Sequence, residues 1–438
     1  MKKIIFGLYS ILFIYSSLWP QYNNEQLYQA THYFGLQDTQ INALEELIDV
    51  HDENESTKIL ISHTHVPLFL AFPHLKGVIS YISLADLPTP ITSVPQLATH
   101  FDIQSLYIKR DDLTGGYDQN RRKLFGGNKV RKAEFLLADA LAQGAQCILT
   151  RGAAGTNHGL AIATYAQQLG LRCILLLSNQ HNTQITRRNL LLDHASGAQL
   201  VTVPHKDLRA SMVSHILGQE KINSGMFPYI IPTGGSCPRG VLGYINAVFE
   251  LKEQIIQGKL VEPDIIFAPV GSAGTIVGIL LGVSAAGLKT RIVGIAVEPE
   301  EYSGQCIATI ETLYNQTQNW LYSLDPSFKS KSFESCDLIL RFDSAGQEYS
   351  LFTQQAVNAI RLVAHATNIT LDGVYSAKAW AGMESYLQQY RQPQARVLFW
   401  NTFCSDSFES IINLVDYHQL PLSLQIYFEQ PVQPLDQQ

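Results

Sequence analysis

Cysteine is sparse and unpatterned in this chain. Its six residues (Cys147, Cys173, Cys237, Cys306, Cys336 and Cys404) form no Cys-x-x-Cys pair and no zinc spacing, so a structural metal site is not expected. Cys147 and Cys173 sit in apolar runs and read as buried core thiols. A surplus of positive charge is also missing. Lys and Arg number 31 against 38 Asp and Glu, a net charge of −7, so a nucleic-acid partner has no electrostatic support. Charged residues make up only 16% of the chain and apolar ones 46%, which excludes a disordered class and gives a globular chain with room for two domains. No internal repeat is found, and no apolar run reaches the ~20 residues that comfortably span a bilayer.

The nearest to such a run is Ile4 to Trp19, preceded by Lys2 and Lys3. A basic start and an apolar middle over residues 1–20 have the form of a secretory signal peptide, although Ser16-Ser17-Leu18-Trp19 lacks a small-x-small cleavage end. Export to a periplasmic or secreted location is the expectation. An uncleaved anchor, or a buried N-terminal helix in a cytoplasmic protein, are the alternatives. Residues 21–86 mix an acidic piece, Asp49 to Glu55, with short apolar runs, and read as an arm packed on the main body.

What is present centres on Ile108 to Gly144, and within it on Phe125-Gly126-Gly127-Asn128-Lys129-Val130-Arg131-Lys132. The spacing of Val130, Ala133, Leu136, Leu137, Ala140 and Leu141 predicts an amphipathic helix with Asn128 as N-cap, Lys129 as its first residue and Gly144 as its stop. A lysine there faces the positive helix end and the like charges of Arg131 and Lys132, which disfavour its ammonium form and suit a Schiff-base nucleophile. A capped surface helix with solvated basic residues fits the same pattern. A phosphate-binding Walker loop does not, because this segment has no Gly-Lys-Ser/Thr triplet.

Beyond this helix, strand-like runs (Cys147–Thr150, Arg172–Leu177, Gln199–Val203, Tyr229–Pro232, Ile265–Val270) alternate with helical patterns. Short connections between them argue for parallel sheets covered by helices, an α/β class. The expected organisation is a smaller α/β domain at 131–235, a larger domain built from 87–130 and 236–428, and a frayed polar tail at 429–438. Small residues at Gly271-Ser272-Ala273-Gly274-Thr275, between a strand and a helix, suit an anion cradle. Ala273 costs little there if its φ is negative. Thr156, in Gly155-Thr156-Asn157-His158, reads by itself as an ordinary N-cap.

Five ordered stretches resemble the D-cysteine desulfhydrase and 1-aminocyclopropane-1-carboxylate deaminase family. They are Leu87-Pro88-Thr89-Pro90 with Lys109-Arg110-Asp111-Asp112 and Gly126 to Lys132; Gly155 to His158; Ile231 to Ser236 with Leu242-Gly243-Tyr244; Gly271 to Thr275; and Leu371-Asp372-Gly373-Val374-Tyr375-Ser376-Ala377-Lys378-Ala379. The resemblance spans Leu87 to Ser405. It implies a two-domain, fold-type II enzyme of the tryptophan-synthase-β kind that uses pyridoxal 5'-phosphate, acts on a small amino acid and forms a homodimer.

By the same resemblance Lys129 carries the cofactor and then removes the α-proton. Asn128, Asn157, Gly271, Ser272, Ala273, Gly274 and Thr275 bind the cofactor. Thr156, Asn157 and His158 hold the substrate carboxylate, and Tyr375 assists proton transfer, with Thr156 beside it in the catalytic set. Ser376 stands where the deaminases have glutamate and the desulfhydrases threonine, a neutral hydroxyl that argues against ring-opening deamination. The expected reaction is conversion of D-cysteine to pyruvate, sulfide and ammonia. A related deaminase, D-serine lyase or racemase is the alternative, and a catalytically silent cofactor-binding protein is a rival of another class. Two departures from the family stand out. Its His-Thr-Gly-Gly turn is replaced by Asn401-Thr402-Phe403-Cys404-Ser405, leaving Thr402 as a possible ring-nitrogen or wall contact. Its Gly-Tyr-Gly loop is replaced by Asp343 to Tyr349, which leaves the second tyrosine of the site unplaced.

Overall fold

A computed structural model describes residues 29, 31–45, 65–299 and 307–437; the signal-like leader lies outside them. Among the described residues no helix is long and apolar enough to cross a membrane. Ten strands among the described residues form two sheets. The larger has the order β1 (Ile91–Ser93), β2 (Ser105–Arg110), β10 (Arg396–Asn401), β7 (Ile265–Val270), β8 (Arg291–Ala296) and β9 (Leu338–Arg341), with only β1 antiparallel. The smaller has the order β5 (Gln199–Val203), β4 (Arg172–Ser178), β3 (Cys147–Ala153) and β6 (Tyr229–Ile231), and is wholly parallel.

Parallel strands need helical crossovers, so both faces of each sheet are covered and the central strands read as continuous apolar runs. β7 is buried at all six positions. Its residues alternate between two cores, Ile266 and Val270 on one face of the sheet and Ile265 and Phe267 on the other. The smaller sheet divides β3 likewise, with Ile148 in one core and Cys147 and Leu149 in the other. Cys147 and Cys173 are buried there as free thiols.

The predicted central helix spans Lys129–Ala142, and Gly144 follows it at φ +71. Its basic residues are not solvated: Arg131 and Lys132 are fully buried. Arg131 donates to Asp111 (Nη2–Oδ1 2.7 Å, Nε–Oδ2 2.9 Å) and to Glu250 (Nη1–Oε2 2.9 Å). Lys109 bonds Glu250 and the Thr89 carbonyl, while Tyr244 and Trp400 each donate to Asp111 at 2.7 Å. Two cations and two carboxylates thus cancel inside the protein, and the motifs around Thr89, Lys109 and Asp111 serve as the anchor of this helix. Gly243 lets helix Pro238–Ile256 approach it, since a Cβ there would stand 2.3 Å from the Arg131 carbonyl oxygen.

The arm divides between the two sheets. Phe34, Leu36 and Leu44 join the core of the smaller one, and Val66, Leu68, Phe69, Phe72 and Leu75 that of the larger. The expectation of a frayed C-terminal tail is corrected. Val432 and Gln433 are buried, and Gln433 accepts from the Phe352 N–H (2.8 Å) and donates to the Ser350 carbonyl (2.9 Å). Polar composition hid a segment that satisfies a loop backbone instead of water.

Candidate active site

A cavity of about 520 Å³ opens where the carboxyl ends of β3, β6, β7 and β10 converge, the position where parallel sheets place their ligands. Lys129 lines it. Burial pushes its amine down to about 8, and a Cβ added to Gly234 would lie 3.4 Å from its Nζ. The cause differs from the sequence reading, because Arg131 is neutralised by Asp111 and Glu250. Asn128 takes the expected N-cap position, but with helical φ/ψ and no side-chain cap; its Nδ2 donates instead to Thr275 Oγ1 at 3.1 Å, across the cavity.

Gly271, Ser272, Ala273 and Thr275 line the opposite wall. Ala273 departs from expectation, with φ +66 in the left-handed region that L side chains disfavour. Gly274 is not on the wall, and its N–H is occupied by Ser236 Oγ (3.1 Å) and the Ser272 carbonyl (2.9 Å). Gly234, at φ +66, must be glycine, since a Cβ would fall 1.9 Å from Ser272 Oγ.

On the β3 side, Thr156 is both the N-cap, accepting from the Gly159 N–H at 3.1 Å, and a cavity residue. Asn157 Oδ1 accepts from buried Asn189 at 2.9 Å, which leaves its amide nitrogen as the available donor. His158 is buried and held neutral by burial and by the charges of Lys129 and Lys132. Thr150 gives its proton to the Ile231 carbonyl (2.8 Å), His158 Nε2 lies 3.1 Å from Thr150 Oγ1, and the ring also bonds the Pro232 carbonyl. His158 is a neutral ring in this wall, beside the Thr156 hydroxyl and the Asn157 amide as donors.

Tyr375 and Thr402 reach the cavity, and Tyr349, left unplaced by the sequence, stands beside Tyr375 with hydroxyls 2.6 Å apart. Burial raises both phenols, Tyr349 to about 12, so both keep their protons at neutral pH. Ser376 does not line the cavity. It is fully buried, and its hydroxyl donates to Asp372 Oδ1 at 2.6 Å. The argument drawn from its neutral hydroxyl therefore has no geometric basis. Proximity in sequence to Tyr375 misled, because Tyr375 precedes helix Ser376–Gln389 and the next side chain turns back to Asp372.

The cavity suits a phosphorylated, polar ring. Lys132 is a fully buried amine that donates to the Gly234 carbonyl (3.0 Å), and a Cβ on Gly274 would come within 2.7 Å of it. Burial and Lys129 push it far below the usual lysine range, so it favours the neutral form until an anion offsets both. A phosphate held at the neighbouring small-residue turn would supply that anion and restore the ammonium. Thr233 Oγ1, also on the cavity wall, is a buried hydroxyl without a partner.

Two mostly parallel sheets meeting at a cleft with a depressed lysine amine and an anion-ready turn define an α/β enzyme of fold type II, the pyridoxal-phosphate class. A solved structure described as a 1-aminocyclopropane-1-carboxylate (ACC) deaminase homologue superposes with a TM-score of 0.64 at 30% identity, covering 80% of this chain and all 100% of that one. The processed form of threonine deaminase isoform 2 from Solanum lycopersicum shares the fold alone, with a TM-score of 0.51 at 15% identity over 84% of this chain and 93% of that one. The D-cysteine desulfhydrase of Serratia proteamaculans is 32% identical over 331 residues, 73% of this chain and 92% of its own length. Residues 82–402 match the profile of the pyridoxal-phosphate dependent enzymes, and the chain belongs to that family. It is a pyridoxal-phosphate-dependent enzyme of the ACC deaminase and D-cysteine desulfhydrase type.

Proposed function

We propose that the protein is a lyase that removes the α-proton of a small amino acid and eliminates its β-substituent, with D-cysteine as substrate. The observation that carries this reading is Lys129, a buried amine lowered to about 8, in one cavity with the hydrogen-bonded Tyr375–Tyr349 pair. When bound, pyridoxal phosphate supplies an electron sink for the pair left on Cα. Ser272, Thr275 and Lys132 would hold its phosphate end, and Asn128 and Asn157 would hold its ring.

The Thr156 hydroxyl and the Asn157 amide orient the substrate carboxylate. Lys129 Nζ takes the Cα proton, which requires the neutral amine that burial favours. The Tyr375 hydroxyl, backed by Tyr349, gives a proton to the departing sulfur as the Cβ–S bond breaks. Water then hydrolyses the three-carbon enamine, through its imine, to pyruvate and ammonia, so cysteine plus water balances pyruvate, ammonia and hydrogen sulfide. A deaminase acting on the cyclopropane acid would use the same lysine and tyrosines, and the name of the solved homologue favours it as the second reading.

Purified protein is expected to show a visible cofactor band that Lys129→Ala abolishes, and to release pyruvate and sulfide from D-cysteine. Tyr375→Phe should lower kcat by ~10²-fold or more with a smaller effect on KM, the loss typical of a general acid. Ammonia and 2-oxobutanoate from the cyclopropane acid, with D-cysteine inert, would replace the lyase reading by the deaminase one. A band with no turnover of either substrate would leave a silent cofactor-binding protein. Absence of the band after addition of pyridoxal phosphate would overturn the whole assignment.

A further inference from the structure

Part of the cavity lining goes unused by the chemistry above. Arg151, Leu176, Val203 and Arg209, from β3, β4, β5 and the helix after β5, line it together with Tyr33. Arg151 lies on the side of β3 that carries Cys147 and Leu149, one position on that face before the strand ends at Ala153. One face of its guanidinium lies over the buried ring of Phe34, 5.7 Å from the centroid. Its Nε is buried without a hydrogen-bond partner. Burial and the like charge of Arg209 push the Arg151 guanidinium down to about 10. Among the described residues no carboxylate pairs with either arginine.

This contrasts with Arg131, whose burial is compensated by two carboxylates. Arg209 is the first residue of helix Arg209–Ser224, an end where the helix dipole favours negative charge, so a cation there has no local reason to be retained. The carboxylates that line the cavity, Glu298 and Asp372, act on Tyr375 and Tyr349 and not on these arginines. Two adjacent cations that no carboxylate neutralises, on a cavity wall that also carries Leu176, Val203 and Tyr33, complement an anion that enters with the ligand.

We propose that Arg151 and Arg209 form a distal anion subsite, so that the cavity takes, beside D-cysteine, small amino acids with a second acidic group on the side chain and binds them more tightly than their neutral analogues. This rests on the pyridoxal-phosphate lyase reading of the same cavity and extends its substrate class. The α-carboxylate stays with Thr156 and Asn157, and the second anion takes the free edge of Arg151, with Arg209 closing from the mouth.

The test is calorimetric titration of the cofactor-loaded enzyme with aspartate and with asparagine, in both enantiomers. These ligands match in size, differ in one charge and carry no leaving group on Cβ. The affinity ratio of aspartate to asparagine is expected to be about tenfold or more for at least one enantiomer, the effect of a charged hydrogen bond. Arg151→Met should bring the ratio close to one, Arg151→Lys should keep part of it, and Arg209→Ala should reduce it less. Because the ratio is read, a variant that merely weakens the fold lowers both affinities and leaves it standing. A ratio near one in the unaltered enzyme, or one unchanged by Arg151→Met, overturns the subsite while the visible cofactor band upholds the enzyme reading. Absence of that band overturns both.

Discussion

Replacing Arg131 by methionine tests whether the buried charge cluster, and not helix propensity, fixes the position of Lys129. The guanidinium makes five hydrogen bonds, to Asp111, Glu250 and Thr89. Methionine fills much of the volume and removes all five. The cluster then holds Lys109 against Asp111 and Glu250, so an interior of zero net charge becomes one of −1. Asp111 keeps its bonds from Tyr244 and Trp400, which limits the damage. Breaking a buried pair by deleting one partner costs ~3–5 kcal/mol, and the retained bonds place the expected loss near ~3 kcal/mol, the low end of that range.

The pH dependence gives the stricter check. In the intact protein Asp111 and Glu250 are held below the usual carboxylate range, mainly by Arg131, against the opposing effect of burial. A depressed carboxyl stabilises the fold above its unfolded pKa, near ~4, and that contribution is lost as pH falls through the folded value. In the variant burial is no longer offset, one carboxyl rises above its unfolded value, and its penalty grows as pH rises. The stability gap between the two proteins should therefore be widest near neutral pH and narrow in mild acid. Denaturant midpoints and slopes of the loaded enzymes at both pH values measure it. A loss below ~1 kcal/mol, the size of a surface pair, or a gap unchanged with pH would refute the argument.

Ala273→Gly should stabilise the protein. Relief of the left-handed alanine is worth ~1–2 kcal/mol and the added freedom of the unfolded chain takes back ~0.4–1 kcal/mol, a net gain to be read from the same denaturant curves. Uptake of pyridoxal phosphate by the apoprotein should quicken as pH rises through about 8 and level off above it, because the neutral Lys129 amine is the reacting form; stopped-flow absorbance checks this. Truncation after Gln430 removes two hydrogen bonds to the Ser350–Phe352 loop, a cost of ~1–3 kcal/mol. It should also lower kcat by loosening neighbouring Tyr349, and a truncated protein of full stability and activity would refute the docked tail.

The sequence carried the strands and the central helix because parallel sheets need apolar runs separated by helical periods, and those periods are local. It also carried Lys129, Thr156, Asn157 and Tyr375, each held at an element end by its own neighbours in the chain. What it could not carry depends on folding distant segments together. Lys109 and Asp111 read as part of a motif, yet their partners are Glu250 and Arg131, and no spacing announces that pairing. Tyr349 sits 26 residues from the tyrosine it touches. Ser376 failed in the opposite sense, since adjacency in sequence to Tyr375 placed its hydroxyl on the other side of a helix start. Arg151 had a visible signal, a lone guanidinium at the end of an apolar strand, where a charge is retained only if something balances it. Arg131, in the core, has Asp111 and Glu250; Arg151, on the cavity wall, has no carboxylate partner among the described residues, and that difference is what turns a packing question into one about the ligand.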